Sequence, residues 1–216
     1  MILSIDTFSA MAGVALTEGE QERAAWSDWI PNGHSEQLMP AIVKILSGTG
    51  VTRPDAVAVC GGPGSFTGLR IGFSVAKGLA LGWNCPFLVV PTFQAWEHRL
   101  ASDPAIAEIG CLIDARQGDW YGRHPDGRLA CQSLDAWLSE RSGTRVWMVE
   151  SDQIPVREGV RIESWKTYPD AGRLAVSVGI LAGRRLAKGE SDDVFVTEPV
   201  YIKDFVARIS GNPSLI

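Results

Sequence analysis

The sequence predicts an α/β fold built from two related units, the second shorter than the first. Three observations predict it. Apolar, β-rich runs end in aspartate twice, at Asp6 and at Asp114. Strand-like and helix-like patterns follow the order β-β-β-α-β-α, once in full and once abbreviated. A glycine-rich corner, GGPGSFTG from Gly61 to Gly68, joins an apolar run to a long apolar helical pattern.

The elements are read in order. ILSID at 2–6 is an apolar strand, GVAL at 13–16 a second, and a third lies near 22–26, after the turn-like EGEQ. Residues 34–47 form a helix, with Leu38, Ile42, Ile45 and Leu46 on one face and Pro40 early enough to be tolerated. DAVAVC at 55–60 is a buried parallel strand. A helix at 67–81, a strand at 87–90 and a helix at 92–100 complete the first unit. The second opens with EIGCLIDA at 108–115, then a hairpin whose turn signal is Asp126-Gly127. A short helix at 133–140, a strand at 145–150 and a long helix at 170–188 follow. In that last helix Leu174, Val178, Leu181 and Ala182 share a face, and Asp170 is a candidate N-cap. The expected division is 1–105 and 106–216.

Composition narrows the class. An apolar fraction of 45% with 21% charged residues is that of an ordinary globular chain. No apolar run reaches the roughly 18–20 residues a membrane span needs. The start lacks a basic region ahead of an apolar stretch, so no signal peptide is expected and cytoplasm is the expected location. Cys60, Cys85, Cys111 and Cys131 are far apart, which argues against a thiolate zinc site and for reduced thiols. Net charge is −5, with 6 Lys+Arg against 9 Asp+Glu in residues 1–105 and 14 against 16 in the rest. A chain that gripped nucleic acid alone would carry a basic stripe, because phosphate neutralisation supplies most of that affinity.

The glycine-rich corner lacks the glycine-lysine-hydroxyl ending of a Walker loop, and Phe66 and Leu69 are too apolar for a pure phosphate cradle. A tight strand-to-helix corner is the favoured reading. In the helix after it, Gly68, Gly72, Ala76 and Ala80 recur every fourth residue as a smooth ridge. Leu69, Ile71, Phe73, Val75, Leu79 and Leu81 fill most of the remaining circumference, and Arg70 and Lys77 are its only charges. A helix apolar nearly all round must be covered on more than one side. One face is therefore expected on this chain's own sheet and another on a partner protein. His34, without a second ligand at helical spacing, reads as a cap or interface residue.

Four segments, DTFSAMAGVAL, HSEQLMPAI, GGPGSFTGLRIG and AKGLALG, closely resemble the TsaB (YeaZ) family in wording and spacing. LIDARQGDWYG and PVYIKD look like that family's looser second-lobe signatures. The resemblance implies a two-lobed actin-like ATPase (ribonuclease H-like) fold with a reduced second lobe. It implies a non-catalytic subunit in threonylcarbamoyl transfer to the tRNA adenosine next to the anticodon. That subunit forms a heterodimer with the metal-dependent transferase TsaD and recruits the ATPase TsaE. It meets tRNA only through the complex and has no membrane role. An apolar face left uncovered in the isolated chain would also allow a homodimer through the same surface. No cofactor of its own is expected, with ATP or ADP bound in the complex. The expected interface residues are His34, Leu38, Leu69, Arg70, Gly72, Phe73, Ala76, Lys77 and Ala80. Asp6, Thr7, Gly64 and Ser65 are candidates for a weak nucleotide contact, although Phe8 is bulky where a small residue lets phosphate approach.

TsaD holds its metal through two histidines four apart on the helix after the strand matching 87–90. This chain resembles it there but carries Thr92 and Trp96, which implies loss of the metal and of the chemistry. Two alternatives belong to other classes. A metallopeptidase would need H-E-x-x-H or a nucleophile elbow, and neither is in the sequence. An actin-like small-molecule kinase would need a catalytic aspartate, for which Asp114 is the only candidate.

Overall fold

The computed structural model describes residues 1–30, 33–101, 109–140, 146–150, 154–164 and 173–203. Strands β1 (Ile2–Asp6), β2 (Met11–Glu18) and β3 (Gln21–Trp29) form an antiparallel meander. Strands β4 (Ala56–Cys60) and β5 (Phe87–Val90) add to it in parallel, giving the order β3-β2-β1-β4-β5. Helix α1 (His34–Thr49) precedes β4, α2 (Phe66–Trp83) precedes β5, and α3 (Thr92–Leu100) follows it. A left-handed Gly50 ends α1 and a left-handed Asn84 ends α2.

The second sheet repeats the plan. Strands β6 (Ile109–Asp114), β7 (Asp119–Arg123) and β8 (Leu129–Ser133) form the meander. Helix α4 (Leu134–Glu140) then leads to parallel β9 (Val146–Glu150) and β10 (Ile162–Ser164). Its order, β10-β9-β6-β7-β8, is that of the first sheet. β6 and β1 are the corresponding first strands, so Asp114 and Asp6 occupy matching places. Strand β10 is an addition to the sequence reading, and only three residues long. The hairpin turn falls where Asp126-Gly127 predicts it, with Gly127 at φ 88° and Asp126 accepting from Arg128 N.

Helix α5 (Leu174–Leu186) is shorter than expected, and Arg173 rather than Asp170 stands at its N-cap. Asp170 lies outside the described residues. Although α5 comes from the C-terminal half of the chain, it packs on β1, β2 and β4 of the first sheet and on α3. Its close approach requires Gly179, whose Cβ would lie 2.6 Å from Thr17 Oγ1 and 2.9 Å from Ser4 Oγ. Ser4 Oγ donates to Ala175 O at 2.6 Å.

The central strands β1 and β4 are thus buried on both faces, every residue of each being buried, which explains why they read as predominantly apolar runs rather than alternating ones. On one face Leu3, Ile5, Val57 and Val59 meet Leu38 and Ile42 of α1 and Phe73 and Ala76 of α2. On the other, Ala58, Leu88 and Val90 meet Phe93 and Trp96 of α3 and Leu174 and Val178 of α5. A smaller cluster in the second unit centres on Leu112, Trp120, Leu134, Trp137 and Val149. Trp96, Trp120 and Trp137 are therefore core residues.

Candidate functional site

The glycine-rich corner and the end of β1 interlock. Ser65 is the N-cap of α2 and accepts from Gly68 N at 3.2 Å, while Ser65 N donates to Phe8 O at 2.5 Å. Thr7 Oγ1 donates to Gly68 O at 2.8 Å. A Cβ at Gly64 would collide with Phe8 O, one at Gly68 with Thr7 O, and one at Gly72 with Thr7 Oγ1. Phe8 is buried and packs edge-on against Trp96, ring centroids 6.1 Å apart. Asp6 is buried too, accepting from Phe8 N at 3.2 Å. Burial pushes its carboxyl up to about 7, against the bonds from Phe8 N and Cys60 that pull it down.

Of the four residues expected at a weak nucleotide contact, Asp6 and Thr7 are buried, Gly64 is half-buried, and Ser65 is exposed at the N-cap of α2. Phe8 follows the first two, buried against Trp96.

Most of the residues expected at the interface are turned into this chain's own core. Leu38, Leu69, Gly72, Phe73, Ala76 and Ala80 are all buried within this chain. The ridge Gly68, Gly72, Ala76 and Ala80 faces the sheet, because only small residues let α2 close on Thr7 and Val59. His34 is buried as well, its Nε2 bonded to Ser9 O at 2.8 Å, and burial lowers its pKa against that bond. Arg70 is exposed and Lys77 half-buried, and both contact this chain's own C-terminal segment.

The outward face of α2 is a different set of residues. Ser74, Gly78, Leu81 and Gly82 are exposed, with Ile71 and Val75 half-buried beside them. A Cβ at Gly78 or Gly82 would meet nothing within 4 Å among the described residues. On neighbouring α1, Val43 is 58% exposed and Met39 41%. These residues are uncharged, and Ser74 is the one polar side chain among them.

Beside α2 lies a segment that sequence reading missed. After α5 the chain runs along the free edge of β5. Asp192 N donates to Phe87 O at 2.8 Å, and Val89 N donates to Asp192 Oδ2 at 2.7 Å. Arg185 clamps Asp192 through both terminal nitrogens and also donates to Val89 O at 2.8 Å. Val200 N donates to Gly61 O at 2.9 Å, and Tyr201 packs on Phe66 with centroids 5.0 Å apart. Arg70 lies 4.1 Å over that same Phe66 ring. PVYIKD thus begins on the first unit, and Lys203 reaches across to Asp119 at 2.8 Å; Asp204 lies outside the described residues. The unusual loop composition VFVTEPVY was the available signal.

Two further expectations concern chemistry. Thr92 and Trp96 share one buried face of α3, where Thr92 Oγ1 lies 3.1 Å from Cys60 Sγ. Asp114 accepts from Arg116 N at 2.7 Å on the wall of an open groove of about 720 Å³. Trp120, Ser133, Asp135 and Arg157 also line the groove, with Arg157 paired to Asp135 at 3.0 Å.

The family description "TsaD: tRNA N6-adenosine threonylcarbamoyltransferase" matches residues 30–140. The tRNA threonylcarbamoyladenosine biosynthesis protein TsaB of Escherichia coli is 30% identical, over 95% of this chain and 96% of that one. A tRNA N6-adenosine threonylcarbamoyltransferase of an Anaeromyxobacter species is 28% identical over 82% of this chain but only 55% of its own length. The structure of YeaZ from Pseudomonas aeruginosa superposes with a TM-score of 0.69 at 26% identity, covering 93% of this chain and 98% of that one. Its architecture is therefore the two-lobed, actin-like and ribonuclease H-like one that the repeated sheet order already indicates. Full-length identity and superposition together lead to one conclusion: the chain belongs to the TsaB (YeaZ) family of tRNA threonylcarbamoyladenosine biosynthesis proteins.

Proposed function

We propose that this chain is a non-catalytic subunit of tRNA threonylcarbamoyl transfer, acting as the obligate partner of a TsaD-type transferase and recruiting a TsaE-type ATPase. The carrying observation is the outward face of α2. Glycine inside a helix costs roughly 1 kcal/mol against alanine. At Gly72 that cost is offset by packing on Thr7, but at Gly78 and Gly82 nothing among the described residues needs the space. Close approach by a second subunit accounts for them. Neighbouring α1 carries two further exposed apolar residues, Met39 and Val43. In isolation this surface would support a two-fold pair of identical chains.

The absence of chemistry is part of the proposal. Thr92 and Trp96 are built into the core where the transferase family has paired histidines, and neither can replace them. The chain would need no cofactor of its own, with ATP or ADP held in the assembled complex, and would work in the cytoplasm. tRNA would be gripped by the complex, consistent with a net charge of −5.

Gly78→Arg tests the assignment directly. The exposed side chain has room, so the isolated protein should melt no lower than wild type and up to a few degrees higher. It should no longer copurify with the TsaD-type transferase or support modification of tRNA in a reconstituted system. Undiminished binding would overturn the assignment, and product formed by the isolated chain alone would overturn its non-catalytic status.

A further inference from the structure

The β5-edge segment carries the second exposed apolar feature of the first unit. Between its pins at Asp192 and Val200, residues 193–197 form a tight turn. Phe195 N donates to Asp193 Oδ1 at 2.8 Å, and Thr197 N donates to Asp193 O at 3.0 Å. Inward-facing Val194 packs on the α1/α2 core cluster and Pro199 is buried. Phe195, at 76% exposure, and Val196, at 72%, point away from the chain. Adjacent large apolar side chains are unusual at the tip of a turn, where polar residues ordinarily satisfy the backbone and meet water.

We infer that this turn is a second anchor of the partner interface, with Phe195 and Val196 entering an apolar recess on the TsaD-type subunit that covers α2. The inference rests on the function proposed above. Three observations carry it further. The turn borders the open face of α2: Glu198 pairs with Lys77 at 3.6 Å, and Leu81, 50% exposed, follows Lys77 by one helical turn. Glu198 follows Val196 by two positions, a chain reach of about 7 Å, so one partner surface can meet both features. The turn is also held rigid, by its internal bonds and by the Arg185–Asp192 clamp, so ordering it costs a partner little. Rigid, exposed aromatic side chains beside a close-packed surface are the residues that dominate association energies. The occupant follows from kinship: the transferase family matches residues 30–140 of this chain, so such a subunit carries its own version of the α1–α2 surface to lay against this one.

The test uses the full chain and the purified transferase. Phe195→Ala with Val196→Ala should weaken the complex by roughly tenfold or more, read by titration calorimetry, and leave the melting temperature of the free chain unchanged. Amide exchange at 193–197 in the wild-type chain should slow on complex formation. Wild-type affinity in the double variant, or unchanged exchange at the turn, would overturn the inference. Gly78→Arg measured alongside separates the two claims. If it binds normally, the α2 interface itself fails; if it abolishes binding while the double variant binds normally, only the turn anchor fails.

Discussion

Asp6 ends β1 under Phe8, 2% exposed, and its carboxyl is raised to about 7 by burial. Such a group takes up a proton more readily in the folded chain than in the unfolded one, where it titrates near 3.8. Its contribution to stability is therefore most favourable below about pH 4, falls as pH rises through the interval to about 7, and is flat above. The full swing corresponds to about 4 kcal/mol. Asp6→Asn removes the charge but keeps an oxygen to accept from Phe8 N. Urea unfolding at pH 5 and pH 8 should show the variant gaining on wild type at the higher pH by a large part of that amount. Equal gains at both pH values would mean that the carboxyl is not the titrating group. The sequence revealed the aspartate and its place at a strand end, but not its enclosure. That depends on Phe8 meeting Trp96, a contact across the fold that local pattern does not encode.

The α2 helix holds the main lesson at the scale of an element. Its existence, its approximate extent (67–81 against the observed Phe66–Trp83) and its need for cover on several sides were legible, because it is apolar almost all round. That same uniformity hid its rotation. An amphipathic helix announces its buried face, but here ridges of small residues at 68, 72, 76 and 80 and at 74, 78 and 82 are equally plausible seams. The close approach to Thr7 selects the first for the interior. Two alanine substitutions on one helix should consequently have opposite signs. Gly72→Ala forces a methyl group into Thr7 Oγ1 and should destabilise the free chain by about 1–3 kcal/mol. Gly78→Ala meets open space and should stabilise it by up to about 1 kcal/mol. Thermal melts of the two variants decide this, and matching signs would refute the assigned rotation. Phe73→Asp belongs with the first case, since Phe73 packs on Phe87 at 6.0 Å and the charge would be buried.

For the molecule as a whole, the repeated strand order was legible from two aspartate-ended runs and a recurring pattern of elements. The crossing of α5 was not, because a helix carries no mark of which sheet it will cover. Its apolar stripe, Leu174, Val178 and Ala182, lies on the first sheet beside Trp96 and Leu88. Gly179 and the Ser4–Ala175 bond fix that docking at close range. Without α5, the β1 and β4 side of the sheet loses most of its cover, and the Arg185–Asp192 clamp on the β5 edge disappears as well. An uncovered apolar face and an open strand edge are both routes to association. A fragment of residues 1–105 should therefore fail to fold cooperatively, binding a hydrophobic dye and lacking a sharp thermal transition. Residues 1–203 should melt in one transition, because α5 ties the C-terminal half to the first core. A fragment of residues 1–105 with a cooperative melt of its own would show that the first sheet needs no helix from the rest of the chain.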